Sequence, residues 1–119
     1  MESTGELEKK TSLGLEENIE GALAYVLGFI TGIIFLLAEK ESDFVRFHAM
    51  QSTITFLGLF IINLVLGFIP FLGWILGLLL SLLGFIFWIL GIVKAYQGEL
   101  YKFPIVGDIA ENQLQKMNI

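Results

Sequence analysis

The only histidine in the chain, His48, follows a short polar run of Glu39, Lys40, Glu41, Ser42, Asp43 and Arg46. His48 with Glu39 or Asp43 is the one combination able to bind a metal or shuttle a proton. The plainer role for this imidazole is a hydrogen bond where a helix begins. Nothing else in the inventory assembles into a reactive set. With no cysteine and a single histidine there is no Cys/His metal cluster, no HExxH and no nucleophile paired with a base. Gly28, Gly32, Gly73 and Gly77 fall in apolar stretches, where a phosphate-cradling turn between strand and helix cannot form. The sequence therefore predicts a protein without catalytic activity, without a cofactor and without a bound metal.

The elements around these residues belong to a membrane protein. Hydrophobic residues make up 55% of the 119 and charged ones only 16%, against roughly a quarter charged in soluble domains. From Phe47 to Val93 there is no Asp, Glu, Lys or Arg. A small soluble domain leaves too much surface wet for so long an apolar run. The excess of 12 acidic over 7 basic residues, net −5, excludes a nucleic-acid partner, whose phosphates need a basic patch. The acidic leader and late apolar stretch do not read as a cleavable signal peptide.

The expected fold is all-α, a polytopic membrane protein with three transmembrane helices at about 16–38, 43–69 and 71–96 and a short amphipathic C-terminal helix. Gly21 to Ala38 is free of charge and rich in Leu, Ile, Val and Phe, each favouring insertion by roughly 0.3 to 0.6 kcal/mol. The longer charge-free run holds two spans folded at Pro70, flanked by Gly67 and Gly73. Unbroken Leu, Ile and Phe exclude the alternating strands of a β-barrel. Residues 1–12 form a flexible polar N-terminus, and 13–119 form a single helical membrane domain. Three spans put Lys9 and Lys10 on one side of the bilayer and Lys40, Arg46, Lys94, Lys102 and Lys116 on the other. The positive-inside bias then predicts a multi-pass protein of the cell membrane with the N-terminus outside and the C-terminus cytoplasmic.

Between helices in lipid, association depends on small residues and hydrogen bonds. The last span carries Gly77, Ser81, Gly84, Gly91, Ala95 and Gly98 on one face, with Gly73 preceding Gly77 at GxxxG spacing. This stripe packs either against the other helices of the same chain or against a second copy. On the second span His48, Gln51, Ser52, Thr55, Gly58, Asn63 and Gly67 share about half the circumference and should face protein, since unpaired amides are costly in hydrocarbon. Asn63, the deepest strongly polar group, is expected to make an interhelical hydrogen bond. Ser42 or Asp43 caps this helix, Asp43 and Arg46 stand at pairing distance along it, and Phe47 sits at interface depth.

In the tail, Pro104 prevents continuation of the last span, and Asp108 with Glu111 has capping-box spacing for the final helix. Val106, Ile109, Ala110 and Met117 share a side of that helix, with Leu114 near its edge. Arg46 and His48 are expected to meet the tail near Glu99, Tyr101 or Asp108.

The strings Asp43-Phe44-Val45-Arg46-Phe47-His48-Ala49-Met50-Gln51-Ser52 and Gly98-Glu99-Leu100-Tyr101-Lys102-Phe103-Pro104-Ile105-Val106-Gly107-Asp108 resemble a family of small archaeal and bacterial three-span membrane proteins of uncharacterised function. That family is similar in turn to the chloroplast inner-envelope import component of the Tic complex. The resemblance implies a membrane protein and brings no catalytic residue. Asp43, Arg46, Phe47, His48, Gln51, Ser52, Asn63, Tyr101, Pro104, Gly107 and Asp108 are the candidate interaction and structural residues. The expected role is a structural, adaptor or assembly component that presents a cytoplasmic loop and tail. An oligomeric pore or translocation-channel component is the alternative. Its partners are then the lipid bilayer and either a further copy of the chain or an unidentified membrane protein.

Overall fold

The computed structural model describes residues 11–117. It contains five helices among them: α1 (Glu17–Val26), α2 (Phe29–Ala38), α3 (Asp43–Leu66), α4 (Leu72–Tyr96) and α5 (Val106–Met117). Two of these, α3 and α4, are long and apolar enough to cross a membrane. At 1.5 Å per residue their 24 and 25 residues reach about 36 and 38 Å, ample for a hydrocarbon core of about 30 Å.

The expected first span at 16–38 is not a single helix. It divides into two ten-residue helices at Leu27 and Gly28, each only about 15 Å long and too short to cross. They fold back on each other as a hairpin, which returns Glu39 to the side of Glu20. Gly28 makes the reversal with φ 63 and ψ −129, a region open in practice only to glycine. The Thr31 hydroxyl secures it, accepting from the Leu27 amide at 3.1 Å and donating to the Ala24 carbonyl at 3.1 Å.

The hairpin enters the bundle only partway. Its tip is held by Ser52, which donates to the Gly28 carbonyl at 2.9 Å, and by Trp88, whose indole donates to the Val26 carbonyl at 3.2 Å. Both residues lie well inside α3 and α4. The Trp88 contact satisfies a carbonyl that the break frees, which hydrocarbon could not do, while the Gly28 carbonyl also accepts the Gly32 amide at 3.1 Å as α2 begins. Gly32 fits against Ala49 and Thr53 of α3, and Gly91 lies under the Tyr25 ring.

One consequence reverses the expected placement of the ends. The Ser12 amide donates to Glu39 and the Lys40 amide donates to Ser12, while the Asn18 side chain donates to the Tyr96 carbonyl. The chain leading into α1, the 39–42 loop and the tail after α4 therefore share one end of the bundle, with the Pro70 turn at the other. Residues 1–10 lie outside the described residues. Thr11 and Ser12, assigned from sequence to the flexible N-terminus, are hydrogen-bonded, and Thr11 is buried.

The α3–α4 hairpin matches its expected position closely, ending at Leu66 rather than 69 and restarting at Leu72. At the turn the close approach of Gly73 to the Leu66 carbonyl leaves a Cβ only 2.1 Å from that oxygen. Most of the small-residue face of α4 packs within the chain: Gly73, Gly77, Gly84, Gly91 and Ala95 are buried, Gly84 against Leu59 and Gly91 against Tyr25, whereas Ser81 and Gly98 of the same stripe are exposed. Asn63 departs from expectation, donating to the Leu59 carbonyl of its own helix at 2.9 Å rather than across to another. Ile62, Leu64 and Val65 of α3 and Leu72, Ile75, Leu78, Leu79 and Leu82 of α4 are all exposed, as lipid-facing residues should be.

Candidate tail-anchoring site

The core is concentrated at the charged end. Tyr25, Phe103, His48, Gln51, Glu20, Glu39, Val45 and Ser52 are the largest side chains with essentially no exposure. Ser42 begins α3, its hydroxyl accepting from the Val45 amide at 3.1 Å, so Ser42 rather than Asp43 supplies the cap. One turn further, His48 and Gln51 project from α3 toward α1 and the tail, which is the polar face the sequence indicated.

Three buried side chains then tie α1, α3 and the tail together. His48 Nε2 lies 2.8 Å from the Glu99 carbonyl oxygen, and its Nδ1 lies 2.6 Å from the Tyr25 hydroxyl. A carbonyl can only accept, so Nε2 carries the proton and Nδ1 accepts from Tyr25. Gln51 Nε2 donates to the Tyr25 hydroxyl at 2.9 Å and to the Tyr101 carbonyl at 3.0 Å. Gln51 Oε1 accepts from the Phe103 amide at 2.8 Å. The amide of Gln51 thus reads the tail backbone as a neighbouring strand would, one acceptor and one donor apart. Phe103 completes the lock, stacked on Phe87 at 4.7 Å between centroids and tilted against Tyr25 at 6.0 Å.

The candidate residues divide clearly. His48, Gln51, Tyr101 and the 99–103 backbone meet in this lock, and Ser52 serves the hairpin tip instead. Phe47 is buried among Ala24, Leu36, Met50, Ala110 and Leu114. Pro104 ends the extended tail, and Gly107 allows α5 to lie against Lys102, where a Cβ would stand 2.3 Å from the lysine Cβ. Asp108 does not form a capping box: α5 already begins at Val106, and Lys102 binds Asp108 at 3.4 Å and Glu111 at 2.7 Å. Glu111, with Asp108 beside it, holds the Lys102 ammonium above its ordinary range. The buried face of α5 is Gly107, Ala110 and Leu114, while Ile109 and Met117 are exposed. Asp43 and Phe47, with Phe44, Leu100, Lys102 and Leu114, line a cleft of about 230 Å³ between α3, the tail and α5.

Tyr25 was missing from the candidate residues. Its signal was available: a tyrosine inside an apolar stretch needs a hydrogen-bond partner when buried. Glu20 and Glu39 were also missed as buried groups. The Glu39 carboxylate accepts from the amides of Ser12 at 3.2 Å, Glu41 at 2.9 Å and Ser42 at 2.8 Å. Burial alone would raise it, but these bonds and one from Glu20 outweigh burial and hold it down at about 2. Glu20 is pushed up to about 7 by burial, against a lowering bond from Thr11, with the Glu39 and Glu17 charges adding to the rise.

Residues 16–110 match the model of the magnetosome magnetite crystal formation protein family. A UPF0132 membrane protein of Methanocaldococcus jannaschii is 58% identical over 106 residues, covering 89% of this chain and 96% of that protein. One from Archaeoglobus fulgidus is 56% identical over 100 residues, 84% of this chain and 97% of its own length. A further M. jannaschii protein of the same name is 53% identical over 100 residues, 84% of this chain and 71% of its length. No solved structure matches. The likeness to a chloroplast import component is not among these findings. Among the described residues there is no group of three or more His, Cys, Asp or Glu side chains placed to hold a metal ion. The sequence match, spanning most of a helical chain with two membrane-length helices, makes this protein a member of the magnetosome magnetite crystal formation family and a relative of the archaeal UPF0132 membrane proteins.

Proposed function

We propose that the chain is a non-catalytic membrane adaptor, with two spans and a half-depth hairpin holding a rigid tail platform at the cytoplasmic face. The observation that carries this reading is the lock of His48 and Gln51 on the tail backbone from Glu99 to Phe103. Three buried polar side chains fix a segment that has no catalytic group to position. The segment in turn seats α5, whose outer side carries Asp108, Asn112, Gln113 and Lys116.

The orientation rests on charge. Lys40, Arg46, Lys94 and Lys102 lie at the end shared by the 39–42 loop and the tail, and the Pro70 end has no basic residue. The positive-inside bias favours that end in the cytoplasm, so both the tail and the chain entering α1 are cytoplasmic in this reading. The alternative of a pore is less well supported, because the Val26 carbonyl freed at the hairpin break is met by Trp88, and the Gly28 carbonyl is met by Ser52 and by the Gly32 amide.

Single cysteines placed at Leu13, Leu100 and Phe68 of this cysteine-free chain test the orientation. An impermeant thiol reagent outside intact cells should label only the Phe68 position. Labelling at Leu13 or Leu100 would reverse the orientation. A photocrosslinker at Leu100 or Ile105 tests the adaptor role. It should capture a recurring membrane partner, and capture should fall in Gln51→Leu, which unlocks the tail. If only lipid is captured, the adaptor reading fails.

A further inference from the structure

The tail lock makes no use of the two most deeply buried acids. Glu20, in the first turn of α1, and Glu39, just past the end of α2, have no exposed surface. They meet where the two arms of the α1–α2 hairpin come together. Each carboxyl has one oxygen well supplied with donors. Glu20 Oε1 accepts from the Thr11 hydroxyl, and Glu39 Oε2 accepts the amides of Ser12, Glu41 and Ser42. The remaining oxygens, Glu20 Oε2 and Glu39 Oε1, are buried without a donor from any other group among the described residues.

Two ionised carboxylates placed so closely repel each other, and a single proton converts the repulsion into a hydrogen bond. The surroundings decide which acid carries that proton. Three amides favour the charged form of Glu39, and among the described residues no backbone amide serves Glu20, so the Glu20 carboxyl donates and Glu39 accepts. Among the described residues, the charged groups on the elements packed around the pair are Glu16 just before α1, Glu17 of α1, Lys40 and Glu41 of the loop, Asp43 and Arg46 in the first turn of α3, and Lys94 near the end of α4. Glu17, whose carboxylate accepts from the Ser42 hydroxyl, adds negative charge and favours the protonated form of Glu20.

We propose that Glu20 and Glu39 are a proton-operated latch: one shared proton clasps the two arms of the hairpin, and its loss drives the arms apart and loosens the chain entering α1 from the 39–42 loop. The latch has a path outward. Ser42 is joined to Glu39 through its amide and to Glu17 through its hydroxyl, and the same hydroxyl caps α3. Opening the pair therefore perturbs the start of the helix that carries His48 and Gln51. This device is independent of whether the tail has a partner.

Two measurements on the full chain in lipid vesicles test it. Infrared difference spectra should show a neutral carboxyl band that persists to about pH 6, where an ordinary carboxyl of pKa about 4.5 is roughly 97% ionised, and that disappears with a midpoint near 7. The band should be absent in Glu20→Gln. Spin labels on cysteines at Leu13 and Lys40 should give a narrow distance distribution at about pH 5.5 and a broad one at about pH 8.5, either side of the transition. In Glu20→Gln, whose amide can donate without titrating, the narrow distribution should hold at both. Absence of the band in the wild type, which would include a cation in place of the proton, overturns the proposal. So does a wild-type distance that ignores pH, or a Glu20→Gln variant that follows the wild-type pH response.

Discussion

Replacing Tyr25 by Phe removes one oxygen atom and leaves the ring, so its effect isolates the polar part of the tail lock. The hydroxyl donates to His48 Nδ1 and accepts from Gln51 Nε2, in a site with no exposure. Without it, the imidazole nitrogen has no donor, while Gln51 retains the Tyr101 carbonyl for one of its two amide protons. A buried polar group left unpaired costs about 1–3 kcal/mol. One complete orphan and one half-served amide therefore predict a loss of roughly 2–4 kcal/mol, or about 30- to 700-fold in the folding equilibrium at 1.4 kcal/mol per decade. Reversible unfolding by a denaturing detergent, followed by tryptophan fluorescence, measures this, with exchange of the Phe103 amide reporting the tail locally. Tyr96→Phe, at a tyrosine 61% exposed, is the control and should stay within about 0.5 kcal/mol. The reasoning is refuted if Tyr25→Phe matches that control, or if stability falls while the Phe103 amide keeps its protection.

Gly91→Ala would put a Cβ 2.6 Å from the Tyr25 ring, and overpacking of this kind should cost about 1–3 kcal/mol in the same unfolding assay. Gly28→Ala should cost about 1–3 kcal/mol from backbone strain alone, since φ is 63 there and the nearest contact, Phe56 at 3.4 Å, leaves room for the methyl. The pH dependence of stability should have two limits. Glu39, held at about 2, contributes fully above the ordinary carboxylate value and loses that contribution as pH falls through about 2. Glu20, raised to about 7, contributes fully below its ordinary value and loses that contribution as pH rises through about 7. Unfolding midpoints measured across that range should decline at both ends in the wild type and keep only the acid decline in Glu20→Gln.

The α3–α4 hairpin was legible because Pro70 interrupts an apolar run too long for one span, and sterics leave little else to do there. The polar side of α3 was legible as well, since His48, Gln51 and Ser52 recur at helical spacing and must face protein in hydrocarbon. The first span misled because summed apolarity measures the drive to enter lipid and says nothing of direction. Ten apolar residues down and ten back contribute as much as twenty straight through. Gly28 and Thr31 mark the reversal, but a glycine followed by a threonine is common enough in spanning helices to leave the break unannounced. Asp108 misled by a similar route: its spacing to Glu111 fits a cap, yet Lys102, six residues earlier, takes both carboxylates. Asn63 was expected to reach across, and its own helix supplies the nearer carbonyl.

The half-depth hairpin also sets an order for biosynthesis. The α1–α2 segment is made before Ser52 and Trp88, which hold its tip. Until α4 has been translated and inserted, the Val26 carbonyl lacks the Trp88 indole that serves it in the folded chain. The α1–α2 hairpin therefore reaches its final place only after the two spans that follow it have built its socket.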